Sequence, residues 1–400
     1  MDRRDFLKST VAATGAGLLG AAPKEAGAVG NAATSIRTYT EIGKTGLKMS
    51  DIGFGCGQLP SSSILERGFD MGINYFDTAP DYGFSEILIG KFLQKRKSER
   101  SKMIITSKIC DTEPYPAHLR AGQPPEKVVS VVEDSLKRLN TDYLDFVFVH
   151  ALAERRNDTK RFKDDNLYEG LERLKKAGKI RFTGFSSHGD HDMEKTVQFG
   201  VDTGRFDMMM VAFNFRDFPR LMPVIKKAYA NGMGVLAMKT LGGAKHTDLS
   251  KFKKDGASFE QAALRWVNSH KEISGAVITI TNVSQLRNYV GVSGSKLTKK
   301  DAEILNYYAK VFDKEACRFG CGDCLPSCTR GVEIPTVMRY NMYFENYTNH
   351  AETAITKYAA LEPKASACAL CADKACEAAC TYGLPVHRLL KLAHENLSVG

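Results

Sequence analysis

From Arg37 to about Phe312, short β-branched and aromatic runs alternate with longer stretches of helical periodicity. Eight of the short runs read as strands: Asp51–Phe54, Tyr75–Asp77, Met103–Lys108, Asp145–His150, Ile180–Ser186, Asp207–Phe213, Gly234–Met238 and Ala276–Ile280. Between them lie amphipathic stretches such as Glu126–Leu139 and Leu167–Ala177, the second followed by Gly178 where a helix C-cap belongs. This alternation predicts an α/β fold, a parallel (β/α)8 TIM barrel over residues 37–312. A doubly wound sheet is the alternative, but no Gly-x-Gly-x-x-Gly opens a helix after a strand. Beyond Phe312 the pattern changes. A helical stretch, Glu333–Ala360, stands between two cysteine-rich runs and predicts a small, mainly helical domain over residues 313–400.

Composition narrows the function classes. Of 400 residues, 43% are hydrophobic, enough to fill a real core and to exclude disorder as the main state. No apolar run reaches the roughly 20 residues of a membrane helix. The net charge of +10 raises the question of nucleic acid. However, Lys and Arg alternate with Asp and Glu on helix faces, as in Leu171-Glu172-Arg173-Leu174-Lys175-Lys176. No basic run is interleaved with aromatics, so the charge reads as solvated surface and predicts no nucleic-acid partner.

The chain opens with Arg3-Arg4-Asp5-Phe6-Leu7-Lys8, then a moderately apolar stretch from Val11 to Ala22, then Ala26-Gly27-Ala28. A charged start, a short apolar region and a small-x-small site define an export signal. The paired arginines make it similar to a twin-arginine signal. Residues 1–35 are therefore expected to be signal and linker, and the mature protein periplasmic or otherwise extracytoplasmic, without a membrane span. A frayed terminal helix is the competing reading, but this stretch has little to bury.

A barrel carries its chemistry at the C-terminal ends of its strands. Asp77, Lys108 and His150 each close a predicted strand. Tyr82 follows Asp77 in a loop broken by Pro80 and Gly83. One buried His or Lys would ordinarily be a satisfied core residue. Four reactive groups converging on one barrel mouth point instead to catalysis.

The run Met71-Gly72-Ile73-Asn74-Tyr75-Phe76-Asp77-Thr78-Ala79-Pro80-Asp81-Tyr82-Gly83-Phe84-Ser85-Glu86, continuing to Leu88-Ile89-Gly90, resembles the signature of the aldo/keto reductases. Similar pieces follow in that family's order: Ile104–Lys108, Asp142–His150 and Gly178–Ser186. The likeness spans about Arg37 to Phe312. It implies a catalytic tetrad of Asp77, Tyr82, Lys108 and His150. Carbonyl reduction delivers a hydride to carbon and a proton to oxygen. A Tyr, with an ordinary pKa of about 10, is a usable donor at short range once a Lys stabilises its phenolate. Asp77 would hold Lys108 charged and aimed, and His150 would orient the substrate oxygen.

The resemblance also implies NADP or NAD as cofactor. Ser186 and Ser187 stand where the family has a Ser-Asn pair that holds the nicotinamide amide, with Ser187 replacing the Asn. Met210 stands where Gln is usual. Met238 replaces a Tyr that stacks on the ring, and Met packs on rings too. Thr279-Ile280-Thr281-Asn282-Val283 follows the last strand without a Lys or Arg for a 2′-phosphate.

Eight of the ten cysteines crowd into the tail. They form Cys317-x3-Cys321-x2-Cys324-x3-Cys328 and Cys368-x2-Cys371-x4-Cys376-x3-Cys380. Both quartets end alike, in Cys328-Thr329-Arg330-Gly331 and Cys380-Thr381-Tyr382-Gly383, an internal pseudo-repeat. Such runs resemble ferredoxin-type [4Fe–4S] ligation, in which the fourth Cys serves the other cluster. That resemblance implies one cluster on Cys317, Cys321, Cys324 and Cys380, and another on Cys368, Cys371, Cys376 and Cys328. Two four-cysteine zinc sites, or four disulfides in an exported chain, are the alternatives. The twin-arginine resemblance favours clusters, since that route carries proteins folded beforehand. Cys56 and Cys110 read as plain buried thiols.

The expected protein is thus an exported oxidoreductase of aldo/keto reductase type. It would move a hydride between nicotinamide and a small carbonyl, alcohol or sugar-like substrate. Nicotinamide passes two electrons and each cluster one, so the clusters are either structural or a relay to a redox partner protein. A catalytically idle barrel serving as an electron-transfer or binding subunit is the other reading. Tyr115, Phe215 and Phe218 are expected as substrate-pocket wall.

Overall fold

The computed structural model describes residues 35–112, 117–153, 158–189, 193–216, 220–242, 258–312, 316–318, 321–346 and 351–398. The expected export signal, Tyr115 and Phe218 lie outside the described residues.

Ten strands are described: β1 (Tyr39–Glu41), β2 (Lys48–Ser50), β3 (Ile52–Gly55), β4 (Tyr75–Asp77), β5 (Ile104–Ile109), β6 (Leu144–Leu152), β7 (Ile180–Ser187), β8 (Met208–Ala212), β9 (Gly234–Met238) and β10 (Gly275–Thr279). Strands β3 to β10 close into one parallel barrel, with β10 paired to both β9 and β3. The outer helices are α1 (Ser62–Asp70), α2 (Ser85–Lys95), α3 (Pro125–Leu139), α4 (Asp165–Lys176), α5 (Met193–Asp202), α6 (Leu221–Ala230), α7 (Phe259–Asn268), α8 (Val283–Val290) and α9 (Lys299–Phe312). All eight expected strands form, shifted by a residue or two at their ends. Parallel strands covered on both sides are buried throughout, which is why they read as continuous apolar runs rather than as alternation.

The hairpin β1–β2 was not legible as a pair of strands. It is antiparallel, with Tyr39 opposite Ser50. It drives Ile42 and Met49 into the barrel interior, against Tyr75, Phe146, Phe148, Met208 and Val277. The N-terminal end of the barrel is thereby plugged with side chains, leaving the opposite end for chemistry. Gly43, at φ 51°, makes the turn possible: a Cβ there would lie 2.3 Å from the Gly232 carbonyl oxygen.

The tail folds as α10 (Ile334–Asn346), α11 (Ala351–Ala359), α12 (Ala375–Ala378) and α13 (Val386–Leu397). It has its own core of Val332, Val337, Tyr358, Leu384, Leu390 and Leu397, with Cys324, Cys368 and Cys376 inside it. None of the described helices is long and apolar enough to cross a membrane.

Polar groups also tie the barrel wall. Asp145, at the start of β6, accepts from Arg100 at 3.0 Å, from the Ile105 backbone N–H at 3.0 Å and from Arg181 at 2.8 Å. Its side chain is only 1% exposed. Replacing it by Ala would leave the mostly buried Arg100 without that partner. Asp145→Ala should cost about 3–5 kcal/mol of stability, read from the shift of the denaturant midpoint, whereas Asp70→Ala, which breaks only the surface pair with Arg96, should change it by about 1 kcal/mol or less.

Candidate active site

The loop after β4 is shaped by buried polar contacts. Thr78 and Ser85 hydroxyls meet at 2.8 Å, and Glu86, at the start of α2, accepts from Ser107 at 2.6 Å and from Arg138 at 2.6 Å. These bonds fix the segment that carries Tyr82.

Strand ends supply the other three groups. Lys108, 2% exposed on β5, donates to Asp77 Oδ2 at 2.8 Å and to the Thr78 carbonyl at 2.7 Å. Its Nζ stands 4.7 Å from the centre of the Tyr82 ring. Tyr82 Oη lies 3.3 Å from His150 Nε2. All four residues of the expected tetrad therefore meet in one place. Burial pushes the Asp77 carboxyl upward, opposed by the attraction of Lys108. Burial also drives the His150 imidazole well below its usual range, reinforced by neighbouring His118 and Lys108. A neutral His150 is a hydrogen-bonding group here, not a charge.

The strand end that presents His150 is strained. Ala151 and Ala153 have φ of 45° and 66°, a region non-glycine residues rarely occupy. Ser186 and Ser187 hold it: Ser186 Oγ accepts from the Ala151 N–H at 3.1 Å, and Ser187 donates to the Leu152 carbonyl at 2.9 Å. Arg161 donates to the His150 carbonyl at 2.7 Å. The two serines thus have a structural task that their spacing does not reveal.

The same bonds bear on the cofactor. Ser186 still has its O–H to donate, and Ser187 still has lone pairs to accept. A carboxamide offers one acceptor and one donor group, so this pair suits it. Met238 is half-buried at the end of β9, where a ring face could rest on it. Met210 is 1% exposed and faces the barrel interior with Met208 and Phe148. Phe215 departs from expectation. Its ring packs edge-on against Phe259 and Tyr308, making it core rather than pocket wall.

The cysteine-rich tail sits on this same end of the barrel. Arg339 of α10 donates to the carbonyl of His188, just beyond β7, at 2.8 Å. Lys239, just beyond β9, reaches Tyr343 Oη of α10 at 3.4 Å. Arg216 donates to the Ala316 carbonyl at 2.9 Å, and Arg220 pairs with Asp323 at 2.9 Å. These docking residues were missed in the sequence, since they lie up to 151 positions apart with no motif to connect them.

All ten cysteines are free thiols. Cys317, Cys321, Cys324 and Cys380 line one cavity together with Ile334, Met338 and Tyr382. The second group is evident in mutual repulsion. Cys368 is pushed up to about 11, first by burial and then by Cys328, Cys376 and Cys371. Cys324 is pushed up to about 12 by burial, Cys321 and Cys380, with a smaller influence from Cys376. Each set of four joins three cysteines of one run to the last cysteine of the other. Four thiols of this kind suit a cationic cluster, which would relieve that repulsion. The Leu384 N–H points at Cys380 Sγ at 3.4 Å, a backbone bond of the sort that stabilises a thiolate.

Comparison with known proteins agrees with this geometry. Residues 60–255 match the aldo/keto reductase family. The chain is 27% identical to L-galactose dehydrogenase of Arabidopsis thaliana over 68% of its own length and 93% of that protein's. It is 26% identical to an uncharacterized oxidoreductase, YrpG, of Bacillus subtilis, over 67% and 94%. A solved structure of a putative aldo-keto reductase from Pseudomonas aeruginosa superposes with a TM-score of 0.52 at 27% identity, covering 65% of this chain and 96% of that one. Such relatives are covered almost end to end, yet a third of this chain has no counterpart in them.

Two buried imidazoles set a pH dependence. His150 and His188 are both held well below 6.5, chiefly by burial. Below about pH 6.5 an unfolded chain protonates them while the fold does not, so stability is present above that pH and falls as pH drops. Each group contributes a slope of up to about 1.4 kcal/mol per pH unit. The unfolding free energy should therefore decrease between pH 7 and pH 5, and by a shallower slope in His188→Gln.

Proposed function

We propose, since the barrel of this chain belongs to the aldo/keto reductase family and the chain is an oxidoreductase, that it transfers a hydride between nicotinamide and a small carbonyl or alcohol substrate. The observation that carries this reading is the meeting of Tyr82 Oη with His150 Nε2 at 3.3 Å, beside a buried Lys108 fixed by Asp77 at 2.8 Å. When bound, the nicotinamide supplies or accepts the hydride; this family generally uses NADP(H).

The chain's own residues handle the proton and the substrate oxygen. Tyr82 donates its phenolic proton to the carbonyl oxygen as that oxygen gains charge. Lys108, with two acceptors on its ammonium and the Tyr82 ring on its third side, stabilises the phenolate left behind. Asp77 accepts from the Lys108 ammonium at 2.8 Å, in a buried setting where an unpaired charge would be costly. His150 holds the substrate oxygen from the other side. In the oxidative direction the Tyr82 phenolate takes the alcohol proton. Ser186 and Ser187 offer the donor and acceptor that suit the carboxamide.

The tail is read as a module for two [4Fe–4S] clusters, ligated by Cys317, Cys321, Cys324 and Cys380 and by Cys328, Cys368, Cys371 and Cys376. Its attachment across the C-terminal end of the barrel, through Arg339 and Tyr343, supports a part in the same redox reaction. It offers an external redox partner a route to the site. Residues 1–35 are read as a twin-arginine export signal, and the enzyme as extracytoplasmic.

Activity, metal content and export each test a part of this reading. Tyr82→Phe should lower the rate of carbonyl reduction by about 10²–10⁴-fold with little change in the melting temperature; an unchanged rate overturns the tetrad. Protein folded without oxygen should carry about eight iron and eight sulfide per chain. Cys317→Ser and Cys380→Ser should each disrupt the same cluster, so that the double variant loses no more iron than either single one. Arg3→Lys with Arg4→Lys should leave the precursor uncleaved inside the cell.

A further inference from the structure

Beside the tetrad, and sharing His150 with it, lies a second group whose Asp81 and His118 the reaction above does not use. Asp81 Oδ2 is 3.7 Å from His118 Nε2, and Asp81 Oδ1 is 3.7 Å from His150 Nδ1. One ligand atom from each of the three residues lies within 4.8 Å of the others. The side chains are sealed: exposure is 0% for Asp81, 3% for His118 and 2% for His150.

The contacts are too long for hydrogen bonds. Among the described residues, Asp81 Oδ1 and His150 Nδ1 have no hydrogen-bond partner. Asp81 Oδ2 accepts from the Ala117 N–H at 3.3 Å, and the Cys110 thiol and the backbone N–H of Asp81 itself also bond to this carboxylate. A sealed carboxylate facing two imidazoles without bonding to them is costly, and leaving its oxygen unsatisfied adds to that cost. A cation between the three groups would remove both penalties.

We propose that Asp81, His118 and His150 bind one divalent transition-metal ion at the edge of the active-site pocket. Two imidazoles and one carboxylate are a donor set that suits zinc or ferrous iron. Around a tetrahedral ion with bonds of about 2.0–2.1 Å, neighbouring ligand atoms stand roughly 3.3 Å apart. The two Asp81–imidazole separations of 3.7 Å need to close by a few tenths of an ångström, and the three ligand atoms, all within 4.8 Å of one another, need to draw together around the ion. Three protein ligands leave a coordination position open, as catalytic rather than structural sites do.

The site would act on the chemistry through one ring. An ion on His150 Nδ1 leaves the ring proton on Nε2, the nitrogen that faces Tyr82 at 3.3 Å. His150 would then be locked as a donor toward the substrate oxygen. His118 and Asp81 would be positioning residues for it. The proposal does not depend on the hydride-transfer reading, because occupancy is measured without turnover.

The test uses full-length protein, purified without oxygen and equilibrated with buffered Zn²⁺. Zinc and iron are counted by mass spectrometry, and the zinc environment is read by X-ray absorption. Wild type should take up about one zinc with a nitrogen and oxygen shell at about 2.0–2.1 Å. Asp81→Asn and His118→Gln should each abolish that uptake with iron and sulfide unchanged. No uptake overturns the proposal, as does uptake undiminished in both variants, or a shell of sulfur alone at about 2.3 Å. If a variant fails to melt cooperatively, the wild-type absorption spectrum decides alone.

Discussion

A charged lysine inside a barrel is the constraint on which this protein turns. Lys108 is almost fully buried, and an ammonium without partners in such a place is costly. Asp77 and the Thr78 carbonyl offset that cost by binding it from the adjacent strand end. Register makes the contact possible: β4 and β5 run side by side, with Asp77 opposite Thr106 and Lys108 two residues further on. The loop that follows β4 must then bring Tyr82 over the ammonium, which explains the investment of Thr78, Ser85, Glu86 and Arg138 in one short segment. The barrel wall, the plugged lower end and the strained exit of β6 all serve to hold this small electrostatic arrangement still.

The tail adds a second level of organisation. It does not hang from the barrel by its linker alone. Arg339, Tyr343, Ala316 and Asp323 engage the ends of β7 and β9 and the approach to α6. Two of these contacts use backbone carbonyls as acceptors, and carbonyls persist through side-chain change. The module is therefore fixed against the strand ends that carry the candidate site.

Much of this was legible in the sequence, for physical reasons. Parallel strands are apolar on both faces, so all eight stand out, and Asp77, Lys108 and His150 show themselves by ending them. Cysteine spacing made the two quartets visible. What escaped detection depends on chain paths that meet only after folding. Asp81 precedes Tyr82 directly, but nothing in the sequence says that His118, 37 residues later, returns to it. Ser186 and Ser187 were expected to face a ligand, and their hydroxyls turned out also to brace Ala151 and Leu152. Phe215 stands near the mouth by position, which suggests lining, yet its ring packs against Phe259 and Tyr308, since the direction of a side chain depends on strand twist and neighbouring helices. The short hairpin β1–β2 was hidden because three-residue strands carry too little periodicity.

The crossed membership of the two thiol groups bears on the order of events during synthesis. Cys380 belongs with Cys317, Cys321 and Cys324, and Cys328 belongs with the later run. The first group is incomplete until the ribosome has passed Cys380, and the second until it has passed Cys376. A chain cut anywhere between the two runs would lack both sets rather than one. The interleaving therefore makes the two sets complete almost together, within four residues of each other. A chain stopped before Cys376 would show scattered thiols where this one offers two sets.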